Sequence, residues 1–185
     1  MALIELRKTY NDNRALIFDA LTSPVHVDVA LRAHALAVDD VLISQWKKHG
    51  LDATPLSLIA VGGYGRLELF PYSDVDILIL HQNADVAAIA GIEKFLSEAW
   101  DLGFEIGHSV RSIDECMTEA RADATVATAL LERRLITGDA SSLHALEAAW
   151  KAGFDVAHFI KAKRFEQQQR YARFEDTAYN LEPNV

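Results

Sequence analysis

Between Val25 and Trp46, apolar side chains return every three to four positions. Leu31, Ala35, Val38, Leu42 and Trp46 fall on one stripe, the spacing of an amphipathic helix. Lys47 and Lys48 stand where the negative end of a helix favours cations, and Gly50 offers a stop. The period then changes. After Pro55, Leu56 to Val61 is a short apolar run ending in Gly62-Gly63, which predicts a buried strand running into a glycine turn. Val75–Leu80 (VDILIL) predicts a second strand and Phe104–Val110 a third, with a helix over Ala87–Trp100 between them. Downstream, the pattern predicts helices over Ile113–Ala120, Thr125–Ile136 (closed by Gly138), Leu143–Trp150 and Val156–Phe174. This order predicts an α+β fold: a small mixed sheet with flanking helices and a helical C-terminal part. Three segments are expected: a helical one over 1–50, a core over 51–112 and a second helical one over 113–185.

Composition narrows the function classes. The chain has 185 residues, half of them hydrophobic, enough for one ordinary core with a helical part attached. A formal net charge of −9 argues against broad binding to nucleic acid, while leaving room for one local pocket for a triphosphate. The lone Cys116 has no disulfide partner, and its expected place is a half-buried helix position rather than a catalytic centre. The opening MALIELRKTY carries charges where a secretory leader needs its apolar run, and no apolar stretch approaches the ~18 residues of a membrane span. The expectation is a cytoplasmic protein without a membrane partner. The end of the sequence, Tyr179-Asn180-Leu181-Glu182-Pro183, reads as the middle of a larger chain, so a fragment is expected.

The specific chemistry lies in VGGYGRLELFPYSDVDILIL, Val61 to Leu80. Gly62, Gly63 and Gly65 follow an apolar strand, where the backbone can turn sharply and bring amide N–H groups toward an anion. Arg66 adds positive charge beside that turn. Asp74 and Asp76 alternate with Val75 and Ile77 at a strand start, so the two carboxylates share one face while the apolar residues enter the core. Neighbouring carboxylates repel unless a cation lies between them, and hard divalent ions take oxygen ligands of this kind. A phosphate cradle beside an aspartate pair is the apparatus of metal-assisted phosphoryl or nucleotidyl transfer.

Gly62-Gly63-x-Gly65-Arg66 followed by Glu68-Leu69-Phe70-Pro71-x-Ser73-Asp74-x-Asp76 resembles the signature of the polymerase-β-type nucleotidyltransferase superfamily. Within it, the chain is similar to the N-terminal domain of the bifunctional PII uridylyltransferase/uridylyl-removing enzymes. That narrower resemblance is carried by Glu105-Ile106-Gly107-His108-Ser109-Val110-Arg111, by Asp123-x-Thr125-x-x-Thr128 with Leu131-Glu132-x-Arg134, by Lys163-x-x-Glu166-Gln167-x-x-Arg170-x-x-Arg173 and by the closing Tyr179–Pro183. It covers the chain from about Pro55 onward. It implies a polymerase-β-like fold and transfer of UMP from UTP to a tyrosine of the PII nitrogen-regulatory protein, releasing pyrophosphate, with Mg²⁺ or Mn²⁺ as cofactor. Asp74 and Asp76 would be the metal ligands, with Glu105 the candidate third carboxylate. Gly62, Gly63, Gly65, Arg66, Ser73 and Lys163 would bind nucleotide. The family's chain continues into an HD hydrolase domain and two ACT domains. This sequence contains no His-Asp dipeptide, so uridylyl removal and small-molecule sensing are expected to be absent.

Other residues admit two readings each. Glu105 in an apolar strand is a third metal ligand or one half of a structural ion pair. His108 contacts phosphate or moves a proton, or else simply packs; Arg111 follows it on the opposite face. Lys161, Lys163, Arg164, Arg170 and Arg173 form a basic run that is a solvated helix face or a triphosphate contact. Phe159, Phe165, Tyr171 and Phe174 read as packing residues, and Tyr64 as an exposed loop tyrosine or a base-stacking one. The rival functions are a nucleotidyltransferase with a different acceptor and a non-catalytic nucleotide-binding regulatory module.

Overall fold

The computed structural model describes residues 3–20, 26–82 and 86–173. Phe174 and the closing Tyr179–Pro183 segment lie outside the described residues. Two helices open the chain, α1 (Leu3–Asp19) and α2 (Val27–Lys48). The stripe read from the sequence is the buried one: Ala35, Val38, Leu42 and Trp46 have no exposed surface, and Leu31 has little. Gly50, at φ 69°, takes the left-handed turn that ends the segment, before a 3-10 turn at Leu51–Ala53.

Strand β1 (Ser57–Ala60) is buried along its whole length. A single helical turn, α3 (Gly62–Gly65), follows, and then β2 (Val75–Leu80). Helix α4 (Val86–Asp101) crosses over to β3 (Ile106–Arg111), which lies parallel to β2. The chain continues through α5 (Ile113–Ala122), α6 (Ala124–Leu131), β4 (Arg134–Gly138), α7 (Ala140–Gly153) and α8 (Val156–Arg173). The four strands form one mixed sheet in the order β3-β2-β1-β4, with β1 antiparallel to both β2 and β4.

The period-2 alternation of β2 separates two apolar layers. Val75, Ile77 and Ile79 face a cluster built by α1, α2 and α4, where Trp46 meets Phe95 edge to face at 5.3 Å. Leu78 and Leu80 face a second cluster with Cys116, Met117, Leu130, Leu146 and Trp150 of α5, α6 and α7. Burial pushes the Cys116 thiol up to about 11, so it is a packing residue without a reactive thiolate. Among the described residues, no helix is long and apolar enough to cross a membrane.

One element differs in kind from the sequence expectation. The helix expected over Thr125–Ile136 ends at Leu131, and Arg134–Gly138 is a strand. Its apolar residues Leu135 and Ile136 fit either period, which is why the pattern alone did not separate them. The deciding term is tertiary: buried β1 has a second edge whose backbone groups need partners, and β4 supplies them, pairing Ala60 with Arg134 and Ser57 with Gly138. The structure therefore draws one strand of the sheet from the segment expected to be helical.

Candidate active site

The end of β1, turn α3 and the start of β2 meet around a cleft of about 390 Å³. The glycine turn forms one flank. By helix geometry, the first amides of the turn, those of Gly62, Gly63 and Tyr64, have no acceptor within it. Gly65 and Arg66 already donate to the carbonyls of Val61 (3.1 Å) and Gly62 (3.2 Å). Gly62, at φ 60°, adopts a conformation that a side chain would strain. Gly65 performs a different task from the one expected. A Cβ there would come within 1.6 Å of the Glu132 carbonyl oxygen, so this glycine lets the turn press against the segment before β4.

The joint role of the residues beneath the turn was not read from the sequence. Tyr64, expected as an exposed loop residue or a base-stacking one, is 1% exposed, and its hydroxyl donates to Asp39 Oδ1 at 2.5 Å. Arg134 of β4 donates to both oxygens of Asp39 (2.6 and 3.1 Å) and lies 5.4 Å over the Tyr64 ring. Burial, and then the negative charge of Asp39, push the Tyr64 phenol far up, so it is neutral and a donor. A polar residue at position 39 within the buried stripe of α2 was the available signal, since a buried carboxylate needs a partner.

The carboxylates form the other flank. Asp76, on the face of β2 opposite Val75 and Ile77, and Asp74, just before the strand, both line the cleft. Gly107 stands in register beside Asp76 on β3. A Cβ at position 107 would fall 2.2 Å from Asp76 Oδ1, so the absence of a side chain is what admits this carboxylate. Partial withdrawal from water, and then the charge of Asp74, push the Asp76 carboxyl above its ordinary range.

Glu105 lines the same cleft, and its carbonyl accepts from the Val75 amide at 2.7 Å. It is exposed and just precedes β3, rather than sitting inside an apolar strand. Burial therefore does not force a partner on it. Among the described residues, no group of three or more His, Cys, Asp or Glu side chains is placed to hold a metal ion together. The set that fits a hard divalent cation is the Asp74–Asp76 pair, whose mutual repulsion such an ion would relieve.

Ser73 borders the cleft on the loop before β2. Arg66 does not: it ion-pairs with Glu68 at 2.8 Å and with Glu132, which ties the turn to the end of α6. Lys163 is also elsewhere, on α8, paired with Glu166 at 2.7 Å and lining a different cavity. His108 points to the opposite face from Asp76 and packs edge to face on Trp100 at 5.7 Å. The expected anion-binding cations are thus spoken for by local carboxylates.

The nucleotidyltransferase domain family profile matches residues 40–136. A protein of Ralstonia nicotianae named bifunctional uridylyltransferase/uridylyl-removing enzyme is 46% identical over 172 residues, 92% of this chain and 20% of that protein. A protein of the same name from Cupriavidus pinatubonensis is 46% identical over 175 residues, 94% of this chain and 20% of its own length. The chain thus spans about a fifth of the length of the curated relatives it matches. A solved toxin–antitoxin structure with AMP-PNP aligns with 75% of this chain and 96% of its own at 17% identity, with a TM-score of 0.38, too low to argue from.

Proposed function

The chain belongs to the nucleotidyltransferase domain family, and we propose that it transfers UMP from UTP to a tyrosine hydroxyl of a PII-type nitrogen-regulatory protein, releasing pyrophosphate. The observation that carries this reading is the meeting of Asp74, just before β2, and Asp76, on it, in one cleft with the glycine turn, Asp76 being seated over Gly107. Two neighbouring carboxylates without a cation are an unfavourable arrangement for a purely structural role, and a regulatory module has little reason to retain it. The identity of the relatives by name supports uridylyl transfer.

Asp74 and Asp76 would hold a divalent cation, Mg²⁺ or Mn²⁺. Bound there, it would lower the pKa of the attacking hydroxyl and neutralise charge on the triphosphate. The chain's own groups do the rest. The amides of Gly62 and Gly63 and the hydroxyl of Ser73 donate to phosphate oxygens. Gly65, with Arg66, Glu68 and Glu132, keeps the turn at its height above β2. Glu105, the exposed carboxylate at the other end of the cleft, accepts the proton of the tyrosine hydroxyl. We assign the reacting centre to 51–112, flanked by the segments 1–50 and 113–185. A cytoplasmic location fits this substrate pair.

The test is transfer of labelled UMP from UTP, with Mg²⁺ or Mn²⁺, onto purified PII protein and its Tyr→Phe variants. Metal-dependent label that disappears in one tyrosine variant is the expected result. Label on a different acceptor, with none on PII, would overturn the acceptor assignment.

A further inference from the structure

A second cavity, about 90 Å³, adjoins the carboxylate cleft and shares Leu69, Tyr72, Ser73 and Glu105 with it. Its inner wall is a fixed hydrogen-bonded row. The Leu69 carbonyl lies 3.0 Å from His34 Nδ1, which therefore carries the proton, and His34 Nε2 accepts from the Tyr10 hydroxyl at 2.8 Å. Its cation is Arg14 of α1, half-buried, with its guanidinium 5.7 Å over the Tyr10 ring and 5.9 Å from that of Tyr72.

Among the described residues, Arg14 is the one arginine or lysine lining either cavity, and it makes no ion pair with a carboxylate. Arg66, Arg134 and Lys163 are each matched with an acidic neighbour. Arg14 is instead held between two aromatic rings, with one N–H directed at the Pro71 carbonyl at 3.5 Å. That setting holds the guanidinium near the mouth of the cavity and leaves most of its donors for a planar anion.

We infer that this cavity is an anion subsite on the acceptor side of the cleft, in which Arg14 receives an acidic side chain of the acceptor protein close to the hydroxyl that is modified. The inference rests on the transferase reading above. Three observations orient it. The cavity meets the cleft at Ser73 and Glu105, whereas Gly63, at the phosphate end, lines only the larger one. Its size, roughly three water volumes, suits a carboxylate and not a base with its ribose. A chain of net charge −9 repels an acidic partner in general, so one placed cation determines where an acidic residue can land.

Steady-state transfer of labelled UMP to PII protein is compared for the parent, Arg14→Gln and Arg14→Lys. The expected result for Arg14→Gln is a rise of about tenfold in KM for PII, with KM for UTP and kcat within about twofold. Arg14→Lys should recover part of that rise, and Tm should match the parent. Added salt should raise the parent's KM for PII more steeply than that of Arg14→Gln. An unchanged KM for PII in Arg14→Gln, or a rise in KM for UTP instead, would overturn the inference while leaving the transferase standing. A parent that transfers UMP but none of it to PII would instead remove the acceptor assignment on which the inference rests.

Discussion

The two flanks of the cleft are built from charged residues used in opposite ways. Under the glycine turn, Asp39, Tyr64 and Arg134 come from three separate elements and bond to one another in a partly buried network. On the strand flank, Asp74 and Asp76 stand side by side with no cation among the described residues paired to them, and partial withdrawal from water, then the charge of Asp74, push Asp76 toward protonation. The first flank fixes a position; the second holds an unmet demand for positive charge. The contrast teaches that charge in a sequence says little about function until its partners are known.

Three substitutions separate the flanks. Gly107→Ala strikes the unmet one: a methyl group would displace the Asp76 carboxylate, a mobile side chain, so the rate of transfer should fall about 10²-fold with little change in Tm. A rate within threefold of the parent would show that the seat of Asp76 over Gly107 is unimportant. Arg134→Met strikes the braced flank by leaving Asp39 and Tyr64 without their cation. Because Arg134 is partly solvated, the expected loss is about 2 kcal/mol of unfolding free energy, read from urea denaturation at unchanged m-value. No loss would mean that the network adds nothing to the turn's support.

Asp76→Asn, measured without metal, should raise Tm near neutral pH by about 1–2 °C. The sign follows from linkage. A carboxyl whose folded pKa is raised contributes its stability below the ordinary Asp range, and that contribution is lost as pH rises through the folded value. The variant escapes this loss, so the difference should vanish in acid. A Tm below the parent's at neutral pH would argue that Asp76 has an unseen partner. Smallest of all, Lys163→Ala should leave KM for UTP within about twofold, because Lys163 is paired with Glu166 on α8 and lines a different cavity.

The helical stripe of α2 and the strand VDILIL were legible because burial imposes a single period on each. The Asp74–Asp76 alternation was legible for the same reason, since a strand fixes which residues share a face. Strand β4 was not, because Leu135 and Ile136 suit either period and only the open edge of β1 decides between them. The roles expected of Arg66 and Lys163 depended on where long side chains find carboxylates, and Glu68, Glu132 and Glu166 lie within reach. The bracing role of Tyr64 was misread and Arg14 passed over because their partners lie 25 residues away on α2 for the one and on the loop before β2 for the other. Such pairs leave no local pattern.

The most direct test of the central claim is metal-dependent transfer of labelled UMP by the Asp74→Asn, Asp76→Asn double variant against the parent. The account predicts a fall of at least about 10³-fold, with the variant folded and its Tm no longer raised by Mg²⁺ or Mn²⁺. Transfer at the parent's rate, or an undiminished rise of Tm with metal, would contradict it.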